Sequence, residues 1–127
     1  MSDVPSWLAD ARSGWANTGA SRPAFAHEPG PGQESVWDYP RPPAIVPDRR
    51  TVVVGDPDDP IASSTRAIRV LETASPPTFY LPADDVRTDR LVRADGRSFC
   101  EWKGQARYWA LADAPGATIG WDYPEPF

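Results

Sequence analysis

Proline and glycine occupy 25 of the 127 positions, 16 and 9 respectively, and they recur along the whole chain. A proline ring fixes φ and offers no N–H, so each one breaks a helix interior or a central strand. The chain is thereby confined to short elements joined by extended connections. That content nears the range in which disorder sets in. Six Trp, four Tyr and four Phe argue for a packed body instead, because disordered chains are poor in aromatics. The length suits one domain.

The first 47 residues hold eight of the 16 prolines and no strand-like run longer than a few residues. Pro5 to Arg12 reads as a short helix, with Asp3 as N-cap and Gly14 as its stop. Beyond it, Arg22-Pro23-Ala24-Phe25 and Pro29-Gly30-Pro31-Gly32 read as an extended arm. Trp7, Trp15, Phe25 and Trp37 are too many large rings for a free tail. Residues 1–33 are therefore expected to form a strap that packs on the body, or on a second copy in a homodimer, with a single β domain over 34–127.

From about residue 48 the pattern turns to β. Thr51 to Val54 is β-branched and stops at the turn cluster Gly55-Asp56-Pro57-Asp58-Asp59-Pro60. Runs over 65–73 and 78–81 follow, and then Ala83 to Arg87 as one helical turn with Asp84 near its N-cap. Leu91-Val92-Arg93 leads to Asp95-Gly96, read as a hairpin turn. Further runs cover 97–103, 105–112 and 118–123. About six short strands with frequent turns predict a mainly β fold, a small antiparallel barrel or a two-sheet arrangement, and not a βαβ fold. Trp37-Asp38-Tyr39-Pro40 recurs as Trp121-Asp122-Tyr123-Pro124, each copy expected to plug an end of the sheet while its Asp caps a turn.

Charge narrows the partners. Thirteen basic residues face 18 acidic ones, a formal net charge of −5, and only Arg49-Arg50 places two basic residues together. Nucleic acid, which requires a clustered basic footprint, and anionic membrane surfaces are both disfavoured. No apolar run approaches the ~20 residues of a membrane helix. The N-terminus lacks a signal-peptide pattern, so a soluble cytoplasmic protein is expected. With Cys100 as the one cysteine, neither an internal disulfide nor a cysteine-built zinc site is possible. A small molecule or another protein remains as partner.

Twelve of the 13 basic residues are Arg and one, Lys103, is Lys. A lysine kept among arginines suggests a need for a compact ammonium, though one at a solvated site needs no such reason. Lys103 lies in Phe99-Cys100-Glu101-Trp102-Lys103-Gly104, the densest segment of the chain. Gly104 there suggests a bulge or a close backbone approach. A neighbouring cation would activate the Cys100 thiol, whereas a lone buried Cys is an ordinary small hydrophobe. The one histidine, His27, lies in the arm, which argues against a Cys-His dyad or a Ser-His-Asp triad. Strand alternation sends Arg66, Ile68, Val70 and Glu72 to one face. If that face is the core side, Arg66 and Glu72 line an interior pocket; if it is the outer side, they are solvated ends. Phosphate loops, metal motifs and nucleophile elbows are missing, and Asp56, Asp58 and Asp59 with their prolines read as a solvated turn.

Gly32 to Pro43, Ser64 to Ala67, Val70 to Glu72, Pro76 to Pro82, Asp85-Val86, Cys100 to Gly104 and the closing Trp121 to Pro124 closely resemble the DUF427 family. The resemblance covers about residues 22 to 127. It implies a small, mostly antiparallel fold similar to the β-tent group, and no function. A nucleotidyltransferase-like activity sometimes associated with that family would call for a Gly-Ser phosphate loop or a paired-Asp metal motif, and the chain has neither. The resemblance carries Arg66, Glu72, Tyr80, Asp85, Cys100, Lys103 and Tyr108 over as a candidate site. Many members have Pro where this chain has Glu101, a departure that frees the backbone after Cys100 from the constraint a proline ring would impose. β-Tent relatives that hold zinc use four cysteines, so no metal and no cofactor is expected here.

The leading expectation is a pocket that binds, or binds and transforms, a small molecule. Arg66 and Lys103 supply positive charge, Glu72 or Asp85 an acceptor or base, and Tyr80, Tyr108, Trp102 and Trp121 the ring walls. Lys103, Glu72 and Cys100 are the residues expected to carry any chemistry. The alternative is a structural or interaction module in which the strap makes a homodimer or docks a partner and the polar residues staple the fold.

Overall fold

The computed structural model describes residues 4–127, so the expected Asp3 cap lies outside the described residues. Its fold is mainly antiparallel β: eight strands in three sheets, none of which closes into a barrel. The chain divides into two compact units, Trp15–Val86 and the residues up to Gly14 with Arg87–Phe127. No helix is long and apolar enough to cross a membrane among the described residues.

In the unit Trp15–Val86, β1 (Ala44–Asp48), β4 (Ala67–Leu71) and β5 (Thr78–Tyr80) form one sheet in the order β1-β4-β5, and β2 (Val52–Asp56) pairs with β3 (Asp59–Ser64) in a hairpin. Neither β1 nor β3 was legible as a strand, because each carries a proline. Pro47 is tolerated because β1 is an edge strand, where one side of the backbone has no ladder to complete. The expected turn after Val54 is correct only at its centre. Asp56 pairs with Asp59, so Pro57-Asp58 makes the whole loop, and the Asp58 N–H donates to the Asp56 carboxylate at 2.9 Å. Ala83–Asp85 forms a 3₁₀ turn as expected in place, but Pro82 caps it and Asp84 caps nothing.

The buried residues of this unit are small or polar: Ala62, Ser64, Ala67, Val70, Thr73 and the ring of Tyr39. Polar links do much of the fastening. The Thr73 hydroxyl donates to the Tyr39 carbonyl, and the Tyr39 hydroxyl to Glu34 at 2.6 Å. Arg41 is the hub. Its side chain is 6% exposed, donates to Glu72 at 3.1 Å and to the Thr73 carbonyl at 2.7 Å, and reaches back to the Asn17 carbonyl at 3.1 Å. The Trp15 ring covers it, 3.9 Å from the guanidinium carbon. Ser35 caps the 3₁₀ turn Val36–Asp38, and Phe25 packs edge-on against Trp37 at 5.2 Å.

In the other unit, β6 (Leu91–Cys100), β7 (Gly104–Leu111) and β8 (Ala114–Asp122) form a meander. The Asp95-Gly96 hairpin expected from sequence is corrected. β6 runs through it, with a bulge between Ala94 and Arg97, and the true hairpin turn is Glu101-Trp102-Lys103, joining Cys100 to Gly104. Gly96 has φ 98°, a conformation that serves a bulge as well as a turn, so the dipeptide alone does not distinguish them. Gly104 meets the expected close approach: with φ 105°, a Cβ there would lie 3.3 Å from the Glu125 carbonyl. Helix α1 (Leu8–Ser13) ends at Gly14 as expected. It buries Leu8, and Trp7 stands in its cap position without a side-chain bond. Trp7 packs on Phe99 at 5.5 Å, and Arg12 lies over Trp102 at 5.0 Å and Phe127 at 5.7 Å.

The two Trp-Asp-Tyr-Pro copies adopt different local structures, a 3₁₀ turn at Val36–Asp38 and the end of β8. In neither does the Asp cap a turn. Asp38 takes a two-pronged grip from Arg22 at 2.8 and 2.9 Å, and Asp122 takes one from Arg107.

The burial of Arg41 sets a stability expectation. Breaking a buried ion pair from one side leaves the other charge stranded, at a cost of about 3 kcal/mol. Arg41→Ala and Glu72→Ala are each expected to lower the unfolding free energy by an amount of that order, read as a fall in the urea midpoint, with Glu72→Gln milder. An unchanged midpoint for Glu72→Ala would return Glu72 to the role of a ligand-facing group.

Candidate functional site

The sequence-chosen residues fall into both units. In Trp15–Val86, Arg66 is 60% exposed and grips Asp85, with Nη2 donating at 2.8 Å and Nε at 3.3 Å, while the Ser64 hydroxyl donates to the same carboxylate at 2.5 Å. Hydrogen bonds from Arg66 and then Ser64 hold the Asp85 carboxyl below its ordinary range. Glu72 is taken by Arg41, and Tyr80 sits opposite Ile68 at the edge of its sheet. Arg66 and Glu72 flank β4 rather than lying in it, so strand alternation does not govern them, and each is held by its own partner.

In the other unit, Cys100 faces Gly104 across the hairpin and Trp102 lies under Arg12. The Lys103 ammonium stands 5.5 Å from the Tyr123 ring. Tyr108 shares a hydrogen bond with Ser98 at 2.5 Å, and Trp121 is the β8 partner of Tyr108. Among the described residues no three His, Cys, Asp or Glu side chains converge as a metal cluster would require.

The register of β6 and β7 creates a feature that sequence reasoning missed. Looping out Asp95 and Gly96 removes two positions, an even number, so alternation survives the bulge. Arg93, Arg97 and Phe99 consequently share one face with Trp109, Arg107 and Gln105. The opposite face carries the fully buried Ala106 and Ala110. On the arginine face lies a cleft of about 590 Å³, bordered by Arg93, Arg97, Arg107, Phe99, Gln105 and Gly104, with Pro5, Pro124, Glu125 and Phe127 closing it. Phe99 and Phe127 meet edge-on at 6.0 Å. Arg107 is spoken for: it donates to Asp122 at 3.1 and 2.5 Å, and the Trp109 indole donates to the same carboxylate at 2.9 Å. Burial pushes the Asp122 carboxyl up, but these donors outweigh it and leave it below the ordinary range. The arginine spacing across Asp95-Gly96 was the available signal, hidden by reading that dipeptide as a turn.

A second concavity, about 620 Å³, lies in Trp15–Val86 and is already neutralised within itself. Arg69 contacts Glu34 at 3.1 Å and Asp48 at 3.3 Å, and Arg50 contacts Asp48 at 2.6 Å. Hydrogen bonds from the Arg50 side chain and backbone N–H lower the Asp48 carboxyl to about 2.

Against this geometry, a family model described as a domain of unknown function (DUF427) matches residues 44–127. The chain belongs to the DUF427 family. The match includes all eight strands and every residue of the sequence-derived candidate set, whereas the residue 32–43 motif precedes it. No curated protein matches the DUF427 chain. Membership assigns no activity, and the reading of function rests on the site.

The Asp48 network makes a pH prediction. A carboxyl lowered in the folded state stabilises above its ordinary value near 3.8 and loses that contribution as pH falls toward 2. Asp48→Asn should be less stable than wild type at pH 6, with the gap between their urea midpoints closing between pH 4 and 2. A gap constant over that window would rule out the ionised network.

Proposed function

We propose that this protein binds a small molecule in the cleft on the arginine face of β6 and β7. The carrying observation is the cleft itself. Its volume of about 590 Å³ falls in the range of ligand pockets, and it pairs the rings of Phe99 and Phe127 with the polar ends of Gln105, Arg93 and Arg97. Phe99 is 48% exposed although it packs on both Trp7 and Phe127, so a flat face remains for a ligand to cover. The reading assigns binding without a metal or cofactor, in the cytoplasm, where the Cys100 thiol stays reduced.

A thermal-shift screen of a metabolite collection should return at least one stabilising compound. Phe99→Ala should weaken its binding about tenfold, the effect of ~1.4 kcal/mol of lost ring contact. A ligand indifferent both to Phe99→Ala and to filling the cleft with Gln105→Trp would place binding elsewhere.

A second reading is favoured by Trp7 and Phe25, which stay 65% and 71% exposed although each already touches a ring of its own unit. On this reading they dock a second copy of the chain. Sedimentation should then show a dimer that Trp7→Ser with Phe25→Ser converts to monomer. A wild-type monomer at high concentration would dismiss it.

A further inference from the structure

We infer that the ligand of this cleft is an anionic group carried on a flat ring, a phosphate or carboxylate on an aromatic or comparably planar body, with Arg97 and Arg93 as its recognition pair. The inference rests on the proposed binding role of the cleft and deepens it.

The charge pattern carries the argument. In an acidic chain of net charge −5, arginines find carboxylates readily. Arg22, Arg41, Arg50, Arg66 and Arg69 each have one within 3.1 Å, and Arg107 has Asp122. Arg93 and Arg97 depart from this, as do two arginines that do not border the cleft: Arg12, whose partners are the Glu101 carbonyl and two rings, and Arg49. Arg93 has the Trp109 ring at 5.5 Å and no direct ion pair among the described residues, although its charge adds to the lowering of the Asp122 carboxyl. Arg97 has no partner among them at all. The Arg93 and Arg97 guanidiniums, neither hydrogen-bonded to a carboxylate, stand on the same face of β6, separated only by Ala94 once the bulge is looped out. Glu125 is the one acidic side chain on the lining, against three arginines.

Geometry adds the class of anion. A guanidinium presents its N–H groups as a planar fork that matches the paired oxygens of a carboxylate or phosphate, and it does so best where no protein carboxylate competes. Asp122 removes Arg107 from that competition and fixes Trp109, which backs Arg93. Beside the two open forks, Phe99 and Phe127 offer apolar surface at an edge-on angle of 69°, an arrangement that accepts a flat ring against one face. A bare inorganic anion would leave that surface unused, and a neutral ring would leave two cations unpaired.

The test titrates phenyl phosphate, benzoate, phenol and inorganic phosphate into the full chain. It follows the Arg Nε–H and backbone amide resonances by NMR at 50 and 200 mM salt. Phenyl phosphate or benzoate should bind at least tenfold tighter than phenol and than inorganic phosphate, weaken with salt, and shift the Arg97 and Arg93 Nε–H signals. Whichever of the two binds tighter identifies the head group. Arg97→Gln should reduce affinity for the anionic ring to that of phenol, Arg97→Lys should restore only part of it, and neither should change phenol binding. Equal affinity for phenol and the anionic rings would overturn the anion while leaving the cleft a binding site. Equal affinity for inorganic phosphate and phenyl phosphate would overturn the ring. If none of the four perturbs the resonances of the cleft, the binding role falls and this inference with it.

Discussion

A guanidinium almost removed from water needs acceptors, and Arg41 finds them for its two terminal nitrogens, though not for Nε, by drawing together segments far apart in sequence. Glu72 and the Thr73 carbonyl come from the two residues that follow β4, the Asn17 carbonyl from the arm, and Trp15 lies over its face. With few large aliphatic side chains fully buried, the unit Trp15–Val86 cannot rely on an oily core alone. The fixed geometry of one buried cation supplies what the small residues do not. It also explains how so proline-rich a segment can be ordered: the arm is pinned where its carbonyls and rings meet Arg41, and needs no ladder of its own.

The preference for arginine over lysine acquires a structural reason here. Arg22, Arg50, Arg66, Arg69 and Arg107 each use two nitrogens on carboxylate partners. An ammonium presents a point charge and cannot reproduce that grip. Lys103 has a different setting, at a hairpin turn with its ammonium near the Tyr123 ring, where no fork is required. Seen this way the lone lysine marks a site without a planar anion to hold, and the unpaired arginines of β6 mark the opposite.

Much of the fold was legible. Short β-branched runs, Gly and Pro punctuation and the spread of aromatics pointed to antiparallel strands, and Thr78–Tyr80, α1 and the turn at Ala83–Asp85 stand where the pattern put them. What escaped were strands whose residues look unlike strands. Ala44–Asp48 and Asp59–Ser64 contain proline and small polar residues, and they pair because of where their neighbours lie. Of the candidate site, motif singled out Arg66, Glu72 and Asp85 but said nothing of their partners, and the strand expected to carry Arg66 and Glu72 stops one residue short of each. Arg93, Arg97 and Arg107 escaped altogether, because a positive-φ glycine is equally at home in a turn and in a bulge.

By itself, then, the amino-acid order determined the short antiparallel elements, the limits set by one cysteine and one histidine, and the acidic balance of charge. These follow from local sterics and from composition, which no packing can alter. Tertiary structure alone decided which cations are spent and which remain open. An ion pair between Arg41 and Glu72 joins residues 31 positions apart, and the shared face of Arg93, Arg97 and Phe99 depends on a register set by β7. Pairing of charges and register of strands are both properties of the partner as much as of the residue, and the partner is chosen only when the chain folds.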